Sequence, residues 1–434
     1  MTSLDRRSLF AATAVTAAAT AVGAPAAHAS GRPGHGRGVT TGADRAAADR
    51  WSVLRGRKVG VVTNPTGILA NLRSVVDEMH ESGRVDLRAV FGPEHGFRGT
   101  AQAGDAEETH TDPRTGVTVY DAYGAGADSL SAMVREAGVD TVVFDIQDVG
   151  ARFYTYIWTM YTAMRAAVRT GCSFVVLDRP NPIGGTARGP MMTTAFTTGV
   201  GAKEIVQVHG MTVGELARFF DGEFLEGDEG KRLGDALEVV EVSGWRRDTL
   251  FADTGLPWVM PSPNMPTPDT ALVYPGTCLF EGTNLSEGRG TTRPFELVGA
   301  PFVDHRWAER LESRRVPGVD FREAYFNPIQ SKHVGVVCGG VQVHVTDPER
   351  LDGPRLGAEM LVAAKALYPE FAWRKDSYDP QRPYWVDKLT GSPRLREMVD
   401  AGASADAVVA AWRSELAAFE RRRRPYLLYR GGRA

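Results

Sequence analysis

The 434-residue sequence predicts an α/β protein whose larger part is a mostly parallel sheet covered by helices on both faces. Two observations carry that prediction. Segments 58–64, 87–91, 140–145 and 173–178 are short continuous apolar runs rich in Val, as expected of strands buried on both faces. Helical segments separate them, and strands alternating with helices build parallel sheets. A third observation, chain length, exceeds one average domain and predicts a second, smaller α+β domain. The boundary falls near Asp269, giving a Rossmann-like domain over 46–269 and a C-terminal domain over 270–434.

Taken in order, 58–64 is a strand ending in polar residues, 74–82 a helix and 87–91 the next strand. A polar, Gly-rich loop over 98–116 leads to a strand at 117–120. Segment 128–137 is helical, with Leu130, Met133 and Val134 on one face. The clearest strand, 140–145, precedes a long helix at 155–169 and a strand at 173–178. Thr212 caps a helix over 213–220, with Glu215 as its capping-box partner. Segment 236–242 is strand-like. Segment 256–301 is dense in Pro, Gly, Asn and Thr and shows little periodicity, yet its apolar and aromatic content predicts an ordered, functional stretch. Beyond it come a strand pair, 334–337 with 341–345, and helices at 357–367 and 405–421.

Composition excludes several classes of function. Hydrophobic residues at 43% and charged residues at 24% describe an ordinary globular chain, and a net charge of −3 gives no bulk case for nucleic acid or anionic membrane. The basic run Arg421 to Arg424 is expected to be a solvated helix end. Asp5-Arg6-Arg7-Ser8-Leu9-Phe10, an Ala-rich stretch and Ala27-His28-Ala29 predict a twin-arginine signal peptide over 1–29, followed by a disordered spacer over 30–45. The expected location is therefore secreted or cell-wall associated, without membrane anchoring after signal removal. Cys172, Cys278 and Cys338 do not make a disulfide framework, and pairing of Cys278 with Cys338 stays open. No metal-ligand spacing occurs, and Asn64-Pro65-Thr66-Gly67 stands where a dinucleotide fingerprint would be. Neither metal nor cofactor is expected.

Four stretches concentrate polar chemistry. The first, Gly92-Pro93-Glu94-His95-Gly96, sets a carboxylate beside an imidazole in a turn that ends a strand. Asp145 and Asp148, then Arg152, Tyr154 and Tyr156, follow the strand at 140–145. Asp178, Arg179 and Asn181 follow the next one. The richest stretch, Glu281 to Glu296, carries Glu281, Asn284, Glu287, Arg289 and Arg293 and is read as an ordered loop closing over the first domain. In α/β sheets the carboxyl ends of the strands share one rim, where ligands bind. Spaced carboxylates, amides, aromatic faces and arginines there suit a carbohydrate carrying an anionic group. Read singly, Asp148 is equally a helix cap, the tyrosines core packing and Asp178–Arg179 a structural pair.

These residues resemble the exo-β-N-acetylmuramidase family (NamZ; glycoside hydrolase family 171). The likeness lies in Val62-Thr63-Asn64-Pro65-Thr66-Gly67, in Phe91-Gly92-Pro93-Glu94-His95-Gly96-Phe97-Arg98-Gly99, in Phe144 to Tyr156, in Leu177 to Pro182 and in Glu281 to Thr291. The resemblance implies an active site between the two domains. It also implies release of N-acetylmuramic acid from the non-reducing ends of peptidoglycan-derived MurNAc-GlcNAc fragments, with Glu94 as catalytic acid/base. Asp145, Asp148 and Glu287 then compete for the second carboxylate role, and His95 orients Glu94. Asn64, Tyr154, Tyr156, Asp178, Asn181, Glu281 and Asn284 are candidates for sugar binding. Arg152, Arg179, Arg289 and Arg293 are candidates for the lactyl carboxylate. A non-catalytic binder of cell-wall amino sugars is the alternative; an amidase or esterase is disfavoured by the absence of a GxSxG elbow.

Overall fold

Period-two alternation explains how the central sheet is built. In the strands β1 (Lys58–Thr63), β5 (Thr141–Asp145) and β6 (Ser173–Leu177), Val59, Val61, Val143, Val175 and Leu177 face one apolar cluster. Val62, Val142, Phe144, Phe174 and Val176 face the other. The first cluster is closed by α1 (Gly42–Ala48) and α2 (Val75–Ser82), the second by α3 (Ala127–Glu136), α4 (Tyr156–Thr170) and α5 (Val213–Phe220). The structure is a computed structural model that describes residues 38–100 and 107–431, so the signal peptide over 1–29 lies outside the described residues.

The strands β2 (Asp86–Gly92), β3 (His110–Thr111), β4 (Thr118–Asp121) and β9 (Leu237–Val240) complete a seven-stranded sheet of order β3-β4-β2-β1-β5-β6-β9. Every neighbouring pair is parallel except β3–β4. The chain winds from β1 to one side through β2 and β4, then returns to β1's other side with β5, β6 and β9. The switch point lies between β1 and β5, where Thr63 pairs with Asp145. A hairpin of β7 (Arg188–Met191) and β8 (Val206–Val208) lies outside this sheet.

The later chain forms a three-stranded antiparallel sheet, β10 (Leu297–Ala300), β12 (Cys338–Val345) and β11 (Val319–Phe326), in that order. Here several expectations are corrected. Segment 334–337 is not a strand, and Val334, Val336 and Val337 are exposed. The partners of β12 are β10 and β11. A Cβ on Gly340 would lie 2.1 Å from the Val298 carbonyl oxygen, so glycines in β12 admit that close approach and blur its pattern. Segment 256–301 is not irregular throughout: Thr267 caps a helix, Pro268–Thr277, that is buried on all sides and therefore shows no period. This helix meets the helix Gly353–Leu367 backbone to backbone through Gly276 and Gly357. The helix expected over 405–421 is broken into Ala405–Ala410 and Arg413–Arg423. Nor is the spacer disordered over its described part: Thr40 pairs with Ser243, and Thr41 caps α1.

The C-terminal segment returns to the first sheet. Phe419 and Tyr426 pack their rings on Phe219 at 5.7 and 5.3 Å. Arg422 pairs with Glu223, and Arg423 is buried, donating to the carbonyls of His209 and Gly210, so the basic run is only partly solvated. Tyr429 donates to Asp178, and the Leu428 N–H to Glu215. Residues 38–434 accordingly cluster as one compact unit. Among the described residues no helix is long and apolar enough to cross a membrane, and all three cysteines are buried free thiols.

Candidate active site

At the end of β2 the chain turns through Pro93 and Glu94 into two successive left-handed residues, His95 (φ 73°) and Gly96 (φ 74°). That conformation is unfavourable for a non-glycine side chain and is retained where surroundings enforce it. The enforcing contact is Glu107, whose carboxylate accepts the Phe97 N–H at 2.8 Å and sits where a Cβ on Gly96 would be. The turn presents Glu94 half-buried. Its Oε2 accepts from the Thr155 hydroxyl at 3.3 Å, at the N-terminal end of α4, and its backbone carbonyl lies 3.3 Å from the Tyr156 hydroxyl.

The switch point supplies the neighbouring wall. Asn64, after β1, uses its Oδ1 to accept from the Thr66 N–H and hydroxyl at 2.9 and 2.6 Å. Its amide meets the Tyr156 hydroxyl, which donates to the Pro261 carbonyl at 2.7 Å. Asp148, beyond β5, is buried. Its Oδ2 accepts from the Gly150 N–H at 2.8 Å and from His209 Nε2 at 3.1 Å. The His209 Nδ1 accepts the Met211 N–H, which assigns the ring proton to Nε2. Asp148 Oδ1 is buried without a hydrogen-bond partner. Tyr154 is buried and feels the charge of both carboxylates. Its hydroxyl is buried without a hydrogen-bond partner, and burial above all, with Tyr156, Asp148 and Glu94 adding to it, pushes that hydroxyl well up.

A ladder of rings joins this wall to the second half of the chain. Tyr156 meets Tyr154 at 5.3 Å, Tyr154 meets Tyr274 at 5.8 Å, and Tyr274 meets Phe295 at 4.7 Å, all edge to face. The Arg289 guanidinium lies 5.0 Å from the Phe295 ring centroid. It bonds Glu281 at 2.7 Å and approaches Glu287 at 3.4 Å. Burial works against its charge, but these two carboxylates prevail and raise its pKa. Lys332 bonds Glu287 at 3.0 Å and the carbonyls of Phe280 and Leu285.

Several sequence candidates stand outside this constellation. Asp145 has no exposed surface, and both its oxygens are taken by Arg179, at 2.6 and 2.9 Å. Arg152 is fully buried and donates to the carbonyls of Pro190, Ile205 and Leu389, tying three segments together. Asp178 accepts from the Gly214 N–H and the Thr212 hydroxyl at the start of α5. Asn181 and Asn284 spend both ends of their amides on backbone, Asn181 with Met211 and Ile183, Asn284 with Glu370 and Ala372. Glu287 is buried between Arg289 and Lys332. Arg293 is half-exposed and pairs with Glu296 at 3.3 Å. Residues that sequence reading missed include His209, Thr155, Tyr274 and Lys332. His209 follows strand β8 immediately, so the strand-end rule that singled out Glu94 would have found it had the hairpin been recognised.

The arrangement offers one half-buried carboxylate, Glu94, and one buried carboxylate, Asp148, in unlike environments, as acid–base chemistry on a polar substrate requires. Against known families, residues 59–269 match the family model described as exo-beta-N-acetylmuramidase NamZ, N-terminal, and residues 272–429 match its C-terminal counterpart. A peptidoglycan beta-N-acetylmuramidase NamZ of Bacillus subtilis (strain 168) is 44% identical over 393 residues, covering 90% of this chain and 91% of that protein. Two crystal structures of DUF1343 family proteins from Bacteroides fragilis share the fold. One has a TM-score of 0.78 and 32% identity, covering 90% of this chain and 99% of its own. The other has a TM-score of 0.71 and 30% identity, covering 91% and 100%. With both halves matched in order, this chain belongs to the exo-beta-N-acetylmuramidase NamZ family.

Proposed function

We propose that the protein is an exo-acting glycoside hydrolase that releases N-acetylmuramic acid from the non-reducing end of peptidoglycan fragments. One contrast supports the assignment of roles: Glu94 is half-buried and bonded by Thr155, whereas Asp148 is buried with Oδ1 unpartnered. Glu94, half-buried and bonded by the Thr155 hydroxyl, is the general acid that protonates the glycosidic oxygen and then the base that activates water. Asp148 is the second carboxylate. His209 and Gly150 fix its Oδ2, leaving Oδ1 as an acceptor for a hydrogen of the reacting sugar. An unpaired buried acceptor is costly in the free protein, and a ligand donor relieves that cost. Of the four arginine candidates, Arg289 is best placed for the lactyl carboxylate, because it stacks beside Phe295 on the ring ladder.

The test is hydrolysis of a chromogenic β-glycoside of N-acetylmuramic acid by wild type, Glu94→Gln and Asp148→Asn. Loss of a general acid costs about 10²- to 10⁴-fold in kcat. Turnover by Glu94→Gln at the wild-type rate removes Glu94 from that role. Tight binding of muramic acid with no turnover by wild type favours a non-catalytic binder instead.

A further inference from the structure

The connection between β11 and β12, residues 327–337, lies against the loop that carries Glu281, Glu287 and Arg289. Ile329 donates its N–H to the Gly290 carbonyl at 3.2 Å, and a Cβ on Gly290 would meet Gln330 N at 2.5 Å, so the two backbones touch. His333 Nε2 donates to the Asn284 carbonyl at 2.7 Å. Between these contacts Lys332 spends its ammonium group on the same loop. It donates to the carbonyls of Phe280 and Leu285 at 2.7 and 2.8 Å and to Glu287 Oε2 at 3.0 Å, which uses all three donors. Ser331 and His333, on either side of it, are both left-handed, at φ 68° and 57°. Non-glycine residues hold that conformation where the surroundings over-determine it, and such strain clusters at ligand clamps.

These contacts give the Arg289 guanidinium a defined setting. Its Nη2 donates to Glu281 Oε1 at 2.7 Å, and its Nε approaches Glu287 Oε1 at 3.4 Å. The other oxygen of each carboxylate is held by a second donor, Glu281 Oε2 by Trp385 Nε1 at 3.4 Å and Glu287 Oε2 by Lys332. Two edges of the guanidinium are thus fixed, and Nη1 has no partner among the described residues. Two carboxylates, one guanidinium and one ammonium cancel in charge. Without Lys332 the cluster would be left with one uncompensated carboxylate. Glu287, only 2% exposed, would then be free to turn both oxygens to Arg289. Excess negative charge in a poorly solvated site repels an incoming anion.

We infer that Lys332 is a positioning residue for Arg289. By holding Glu287 and balancing its charge, it keeps the remaining guanidinium nitrogen open to a carboxylate of the substrate. The inference rests on the assignment of Arg289 under the glycosidase reading above. A continuous run of contacts joins the cluster to the acid: Arg289 meets Phe295, then Tyr274, Tyr154 and Tyr156 follow, and the Tyr156 hydroxyl lies 3.3 Å from the Glu94 carbonyl.

Wild type, Lys332→Met and Lys332→Met/Glu287→Gln are compared on the chromogenic muramic acid β-glycoside and on its neutral lactyl methyl ester, with rates scaled to folded protein. The ratio of kcat/KM, acid over ester, is expected to fall about ten-fold or more in Lys332→Met through KM, with kcat little changed. The double variant still lacks the ammonium but leaves Glu281 balanced by Arg289, and its ratio is expected to return to within about three-fold of wild type. A purely structural role would lower both substrates alike and gain nothing from the second substitution. An unchanged ratio in Lys332→Met, or one that stays low in the double variant, overturns the inference. Arg289→Gln is run on the same pair. A wild-type ratio there overturns the assignment of Arg289 and this inference with it, while turnover itself leaves the glycosidase reading in place. If wild type hydrolyses neither substrate, the glycosidase reading falls, and the same ratios are taken from equilibrium binding of N-acetylmuramic acid and its methyl ester.

Discussion

Asp145 and Arg179 provide a sharp separation of architecture from chemistry. Asp145 is fully buried and Arg179 nearly so, and two hydrogen bonds of 2.6 and 2.9 Å join them in fork geometry. Replacing Arg179 by Met leaves a carboxylate in the sheet's interior with no counter-charge, at a cost of about 3–5 kcal/mol. Residues 38–434 cluster as one compact unit, and with two-state unfolding at about 2.1 cal/mol/K of entropy per residue that loss lowers Tm by roughly 5 °C. The double variant Asp145→Leu/Arg179→Met removes both charges together and is expected to recover to within about 1 kcal/mol of wild type. What it does not restore is the Arg179 hydrogen bond to the Ile68 carbonyl, 2.8 Å long, which accounts for that remaining deficit. Calorimetry gives the stabilities, and hydrolysis of the chromogenic muramic acid glycoside, scaled to folded protein, gives activity. Activity of the double variant within about three-fold of wild type is the expected result. A double variant that regains its Tm but has lost turnover a hundred-fold would refute the structural assignment and return Asp145 to the catalytic candidates.

Three other expectations are equally direct. His209→Phe deprives Asp148 of its side-chain donor, and kcat on the chromogenic substrate is expected to fall at least ten-fold with a displaced pH profile, while His209→Gln, which keeps a donor, recovers part of it. Burial alone would raise the Asp112 carboxyl, but Arg98 and Thr115 hold it down at about 2. A carboxyl held below its unfolded value of about 3.9 contributes stability above that pH and loses it as the pH falls toward 2. After solvent screening this is about 1 kcal/mol, and acid titration of the Arg98→Gln variant is expected to lack it. Export is checked by Arg6→Lys/Arg7→Lys, which is expected to retain the protein inside the producing cell; undiminished secretion contradicts a twin-arginine signal.

The strands of the first sheet were readable because each is buried on both faces and so writes an unbroken apolar run. Their ends were readable for the same reason, and Glu94, Asn64, Asp148, Tyr154 and Tyr156 do come together. Strand-end position alone, however, does not distinguish a side chain that faces ligand from one that holds the fold. Asp145, Arg152, Asp178 and Asn181 share the same rim in sequence and are consumed by internal partners. Those partners lie far along the chain, as Leu389 does from Arg152 and Tyr429 from Asp178, and no local pattern announces them. The helix Pro268–Thr277 was hidden because burial on every side erases its period. Strand β12 was half hidden because its glycines carry no side chain to alternate.

The return of the last residues to the first sheet has a consequence for the order in which the molecule is made. Phe219, Asp178 and Glu215 belong to the earlier half of the chain, yet their partners Phe419, Tyr429 and Leu428 are made two hundred or more residues later. Until those residues are made, the first sheet lacks part of its own wall. The N-terminal segment matched by one family model thus takes part of its wall from the C-terminal segment, and a chain stopped near residue 410 leaves an aromatic cluster open to water.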